Sequence, residues 1–122
     1  MHHELCFGCG RTNLFGLLAE LQQTRPHAVT GRCFIKQDHQ GPDPGSAHPG
    51  VVVAALSEAM AFACGPGVRL QEMSIEFEES APVGAFLDVR AEADGERATA
   101  TATADGRTVA TAAATASQPE DG

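Results

Sequence analysis

Two groups of residues in this chain have the types and spacing that chemistry uses. One is Cys6-x-x-Cys9 near the N-terminus. The other runs from His48-Pro49-Gly50 to Ser57-Glu58, in and just ahead of the apolar stretch VVVAALSEAMAFAC. A Cys-x-x-Cys pair invites a zinc or redox reading. A structural zinc wants four ligands, and no second Cys-x-x-Cys or finger-spaced His pair follows. Only a site completed by His39 and His48 would serve, so no metal centre is expected, and a small zinc-binding interaction module stands as a competing class. The second group is more informative. A helix start offers free N–H groups and a dipole that favours negative charge, which singles out residues 48–50. A carboxylate within an apolar helix is costly unless it is paired or functional, which singles out Glu58.

These residues need elements to hold them. Residues 1–14 read as a loop. Segments 16–24 and 28–37 read as strands joined by a turn at Arg25-Pro26-His27, with Val29, Cys33 and Ile35 on one face. The stretch 38–47, with Gly41, Pro42, Pro44 and Gly45, reads as a long loop without regular structure, of the kind that is often functional. Pro49 suits the first turn of a helix running to Cys64, with His48 or Ala47 near its N-cap and Gly65-Pro66-Gly67 as its stop. That helix is apolar almost all round, so it has to be enclosed. Alternation then predicts strands through Met73, Ile75 and Phe77, through Leu87, Val89 and Ala91, and through Ala98, Ala100 and Ala102. Asp105-Gly106 predicts a hairpin into a last strand, 107–116, and residues 117–122 read as a frayed tail. The order is two strands, one buried helix and four antiparallel strands, an α+β fold with a sheet curved around a helix.

A chain of 122 residues suits one domain, 1–122. Its hydrophobic content is 43%, but there are 21 Ala and no Trp or Tyr. Such a core is thin, which points to further burial by self-association. With 16 Asp plus Glu against 8 Lys plus Arg, the net charge is −8. No basic face exists for nucleic acid, and phosphate contacts must be few. No apolar run is long enough for a bilayer, and no signal-peptide core is evident. A cytoplasmic location with reduced thiols is the expectation.

The motifs resemble those of a known family. Cys6-Phe7-Gly8-Cys9-Gly10 followed by Asn13-Leu14-Phe15-Gly16-Leu17, Gln40-Gly41-Pro42, His48-Pro49-Gly50, Leu56-Ser57-Glu58-Ala59-Met60, and Ala81-Pro82-Val83-Gly84 with Leu87-Asp88-Val89 stand in the order found in small bacterial hotdog-fold thioesterases, of the phenylacetate-pathway and 4-hydroxybenzoyl-CoA types. The resemblance spans roughly Cys6 to Ala116. It implies a hotdog fold, in which a curved antiparallel sheet wraps one central helix. It also implies pairing of subunits edge to edge into a homodimer or a dimer of dimers (a homotetramer). The substrate would be an acyl-CoA or acyl-carrier thioester bound at the dimer interface. Coenzyme A would enter only as part of the substrate, with no separate cofactor.

Two positions depart from the pattern that the resemblance supplies. The family's oxyanion donor is the N–H after His, where this chain has Pro49, which carries none. The family's helix carboxylate falls on Ser57, and Glu58 lies one residue on, about 100° further round. The expected catalytic set is therefore Glu58 as base, Ser57 positioning water, Gly50 as replacement donor and His48 beside it. Gln40 and Gly41 are the expected substrate-binding loop, with Met60, Phe62 and Phe77 as candidate pocket walls. Structural alternatives stand beside these roles: Ser57 bonded to a preceding carbonyl, Glu58 held by a structural partner, and His48 anchoring a loop. The competing function is a hotdog protein that binds an acyl thioester without hydrolysing it, or that carries out a dehydration or cyclisation.

Overall fold

The computed structural model describes residues 20–65 and 67–117. The calls on Cys6, Cys9 and the 1–14 loop lie outside them, as does the start of the first predicted strand. Six strands form one antiparallel sheet: β1 (Glu20–Arg25), β2 (Ala28–Phe34), β3 (Arg69–Phe77), β4 (Phe86–Asp94), β5 (Arg97–Ala104) and β6 (Arg107–Ser117). Their spatial order is β1-β2-β4-β5-β6-β3, and a single helix, α1 (Pro49–Cys64), packs on the sheet mainly over β4 and β5. This is the arrangement of a sheet curved around a helix that the element order predicts.

The alternation of Ala and Thr explains how the helix seats. Ala98, Ala100, Ala102 and Ala104 of β5 and Ala110, Ala112, Ala114 and Ala116 of β6 all point inward and are buried. An Ala-lined sheet is shallow, so the helix backbone comes close to it. Val52, Leu56, Ala59, Met60 and Ala63, one stripe at helical spacing, are buried against it. The larger chains Val29, Ile35, Leu87 and Val109 complete the core. Asp105 and Gly106 both have positive φ, at 52° and 78°. This is the two-residue turn whose twist matches that of the strands it joins.

Four details differ from the sequence reading. The first strand continues to Arg25. The second stops at Phe34, and Ile35 instead exchanges backbone hydrogen bonds with Gly84 and Ala85. The segment 38–47 is not without structure: Gln37–His39 form a 3₁₀ turn, and Gln40 and Ser46 make β-bridges to Ala47 and Pro82. The turn closes because the buried His39 accepts the Lys36 N–H at Nδ1 (3.0 Å) while donating its own N–H to the Lys36 carbonyl. Ser117, assigned to the tail, still pairs with Arg69 at the end of β6.

The apolar residues of β3 behave unlike those of the other strands. Met73 and Phe77 are 37% and 51% exposed, and Ile75 is half-buried. As an edge strand, β3 keeps part of its apolar face open in one chain. No helix among the described residues is long and apolar enough to cross a membrane.

Candidate functional site

The helix start is built by the loop before it. His48 is the N-cap and Pro49 the first helical residue. Pro there costs nothing, because its missing N–H would have had no intrahelical partner. The Gly50 N–H donates to His48 Nδ1 at 2.8 Å, and the Val51 N–H donates to the His48 carbonyl at 2.9 Å. The His48 N–H is itself fixed, donating to the His39 carbonyl at 2.7 Å.

Gln40 and Gly41 hold this loop in shape. The Gln40 side chain accepts the Gly45 N–H at 2.9 Å and donates to the Gln37 carbonyl at 3.3 Å. Gly41 donates to the Ser46 carbonyl at 3.0 Å and lies against the His48 backbone. A Cβ at Gly41 would stand 2.7 Å from His48 Cα, so the backbone itself would have to shift. Gly41→Ala is accordingly expected to destabilise the protein by about 1–3 kcal/mol, measured by urea denaturation, and to displace the helix start. Further bonds, from Ala47 N–H to the Ala81 carbonyl and from Val83 N–H to the Gly45 carbonyl, tie the loop to the 81–83 turn.

Beside the helix start lies a cleft of about 320 Å³. Pro49, Val52 and Phe77 give it apolar walls, and Asp43, Glu78 and Glu79 give it carboxylates. One of these, Glu79, lies 3.9 Å from Arg107. The acidic rim was not foreseen, since Asp43 and Glu78-Glu79 come together only when the loop folds back on the end of β3. The Gly- and Pro-rich composition of the loop was the available signal.

The expected site residues do not all converge in one chain. Phe77 reaches the cleft, but Ser57, Glu58, Met60 and Phe62 lie further along α1. Gly50 and Glu58 are eight residues apart, about 12 Å along the helix axis. The Ser57 hydroxyl donates to the Ala54 carbonyl at 3.2 Å, a local helix bond. Glu58 is half-buried, with Oε2 shielded from solvent. Met60 is fully buried against the sheet, on the same stripe as Leu56. Phe62 turns outward and is 39% exposed.

The described thiols are poor nucleophiles. Burial, with the Asp88 charge nearby, pushes Cys33 up to about 11, and burial raises Cys64. Among the described residues, no group of three or more His, Cys, Asp or Glu is placed to hold a metal ion.

No protein-family model matches the sequence, and no curated protein does. Solved structures do match. The PaaI protein of the phenylacetic acid degradation operon of E. coli superposes with a TM-score of 0.77 at 15% identity, over 85% of this chain and 81% of that one. A hypothetical thioesterase protein from Streptococcus pneumoniae, solved with coenzyme A, matches at 0.71 and 17%, over 84% and 88%. Thioesterase superfamily member 2 of mouse matches at 0.69 and 17%, over 88% and 86%. The chain thus has the hotdog fold seen in proteins of the thioesterase superfamily.

Proposed function

We propose that this chain is a thioesterase-like hotdog protein that takes an acyl thioester of coenzyme A, or of a carrier protein, into a site between two copies and hydrolyses it. The observation that carries the reading is Glu58, a half-buried carboxylate on the central helix of a fold shared with a coenzyme A-bound thioesterase protein. Glu58 would take a proton from water, and the resulting hydroxide would attack the thioester carbonyl. The oxyanion would accept the Gly50 N–H, and the C–S bond would then break, with the thiolate taking the proton back from Glu58.

One carbonyl has to accept the Gly50 N–H while a water held by Glu58 lies against its carbon, and about 12 Å separates the two groups on one helix. Two copies resolve this if the helix start of one faces Glu58 of the other. The exposed Met73 and Phe77 on edge strand β3 support such pairing. Coenzyme A acts here as part of the substrate, and the reading goes with a homo-oligomer in the cytoplasm.

A second reading, binding without hydrolysis, rests on Pro49, on the occupied Gly50 N–H and on the hydroxyl of Ser57, which stands where the resemblance expects a carboxylate. A panel of acyl-CoAs incubated with the protein and a thiol reagent separates the two. Thiol release above the rate of the buffer is the expected result. Binding of an acyl-CoA with no thiol release, measured by calorimetry, would replace the first reading by the second.

A further inference from the structure

The hydrogen bonds at the start of α1 leave few donors free there. A helix ordinarily presents several unbonded N–H groups at its N-terminus. Here Pro49 has none, the Gly50 N–H is taken by the His48 ring, and the Val51 N–H is taken by the His48 carbonyl. A single residue therefore satisfies both remaining donors. We infer that His48 is a built-in competitor for the oxyanion donor: its Nδ1 occupies the Gly50 N–H that a thioester oxygen needs, and productive binding displaces the ring. This rests on the reading of the helix start as the place where the thioester carbonyl binds.

The geometry favours a ring that leaves while its backbone stays. The backbone of His48 is pinned by the His39 carbonyl and by contact with Gly41. Its side chain, by contrast, is exposed, and the hydrogen bond to Gly50 is on the surface. Glycine at position 50 is what lets the ring sit so low. A Cβ there would lie 3.1 Å from Nδ1 and 3.5 Å from Cε1, tight enough to push the ring aside.

The consequence for reactivity follows from acceptor strength. An imidazole nitrogen competes well with a neutral thioester oxygen, whereas a tetrahedral oxyanion forms a charge-assisted bond that is roughly twice as strong as a neutral one. The cap therefore opposes the ground-state complex and yields to the transition state. His48 is in this sense a positioning residue, acting through the Gly50 N–H.

The test compares the wild type with His48→Ala and His48→Asn. The probes are butyryl-CoA, for turnover, and its ketone analogue with CH₂ in place of sulfur, for binding. His48→Ala frees the Gly50 N–H, so kcat/KM for butyryl-CoA and affinity for the ketone should each rise roughly fivefold, the factor carried by one ordinary hydrogen bond. His48→Asn restores a side-chain acceptor at the N-cap and should bring both values back toward those of the wild type. Circular dichroism checks that each variant is folded. If His48→Ala does not fold, the Gly50 amide of the wild type is followed by NMR as the ketone is added. A shift of that amide together with the His48 ring supports the inference, and a static ring overturns it. Turnover that is equal or slower in a folded His48→Ala overturns the inference and leaves the thioesterase reading intact. Tighter ketone binding in His48→Ala with no turnover in any variant keeps the competitor and sinks hydrolysis. Absence of ketone binding in the wild type and in both folded variants overturns both.

Discussion

Glu58→Gln is expected to lower acyl-CoA hydrolysis by about 10²–10⁴-fold, the usual contribution of a positioned general base. The change keeps the shape of the side chain and removes only its ability to take a proton, so α1 should remain seated. The loss should fall on kcat, with affinity for the ketone analogue retained, because the carboxylate acts on water and not on the bound acyl group. A structural role for Glu58 leaves a different signature. Burying an amide in place of a partnered carboxylate would lower the thermal midpoint while the folded fraction kept its turnover. Stopped assays beside thermal melts of the same samples separate the two. Full turnover in Glu58→Gln would remove the carboxylate from the mechanism. Ser57 does not compensate for it, since its hydroxyl is already committed to the Ala54 carbonyl.

Most of the architecture is legible because it depends on patterns that are local and periodic. The Ala–Thr alternation of β5 can only be read as a strand with a small-residue inner face, and Asp105-Gly106 names its own turn. The stripe Leu56, Ala59, Met60 and Ala63 shows the helical period. The same stripe buries Met60, an expected pocket wall, against the sheet. The exposed apolar face of β3 was less accessible. Met73, Ile75 and Phe77 alternate as any buried strand would, and only the sheet order places them at an edge.

The contacts around the helix start are not encoded in residue spacing. Pro49 and Ser57 announce a departure from the resembling motif by their identities alone. Whether Gly50 offers a free donor depends on the direction of the His48 ring, a rotamer that no spacing encodes. The folding of the 38–47 loop depends likewise on His39, whose buried ring ties the turn by bonding Lys36 three residues earlier. Gly41, an expected substrate-loop residue, has a structural reason to be glycine, since a Cβ there would stand 2.7 Å from His48 Cα. The acidic rim of the cleft joins Asp43 to Glu78 and Glu79, more than thirty residues away in sequence. Such pairings come from tertiary closure, beyond the reach of periodicity.

The separation of Gly50 and Glu58, the two groups proposed for catalysis, leads to the second large effect, which is a gain. If Gly50 of one copy and Glu58 of another build each site, a twofold dimer holds two sites, and each draws on both chains. Gly50→Pro removes the donor N–H and should, like Glu58→Gln, be nearly inactive alone, since loss of an oxyanion donor typically costs about 10²–10³ in kcat. Mixing the two variants under conditions that exchange subunits should restore hydrolysis. In a mixed dimer, the site made from Gly50 of the Glu58→Gln chain and Glu58 of the Gly50→Pro chain is complete. Its twin carries both lesions. Random pairing makes half of the dimers mixed, each with one working site of two, so recovery should approach about a quarter of wild-type activity. Placing both lesions in one chain provides the contrast: mixed with wild type, it can only dilute activity. Pro at the second helical position follows Pro49 and strains that residue's helical backbone, so secondary structure is checked by circular dichroism before mixing. Recovery from two folded, inactive variants requires groups shared between chains, whereas a site complete within one chain would stay silent in the mixture. The 12 Å along the helix thus becomes a statement about assembly that a simple rate measurement can refuse.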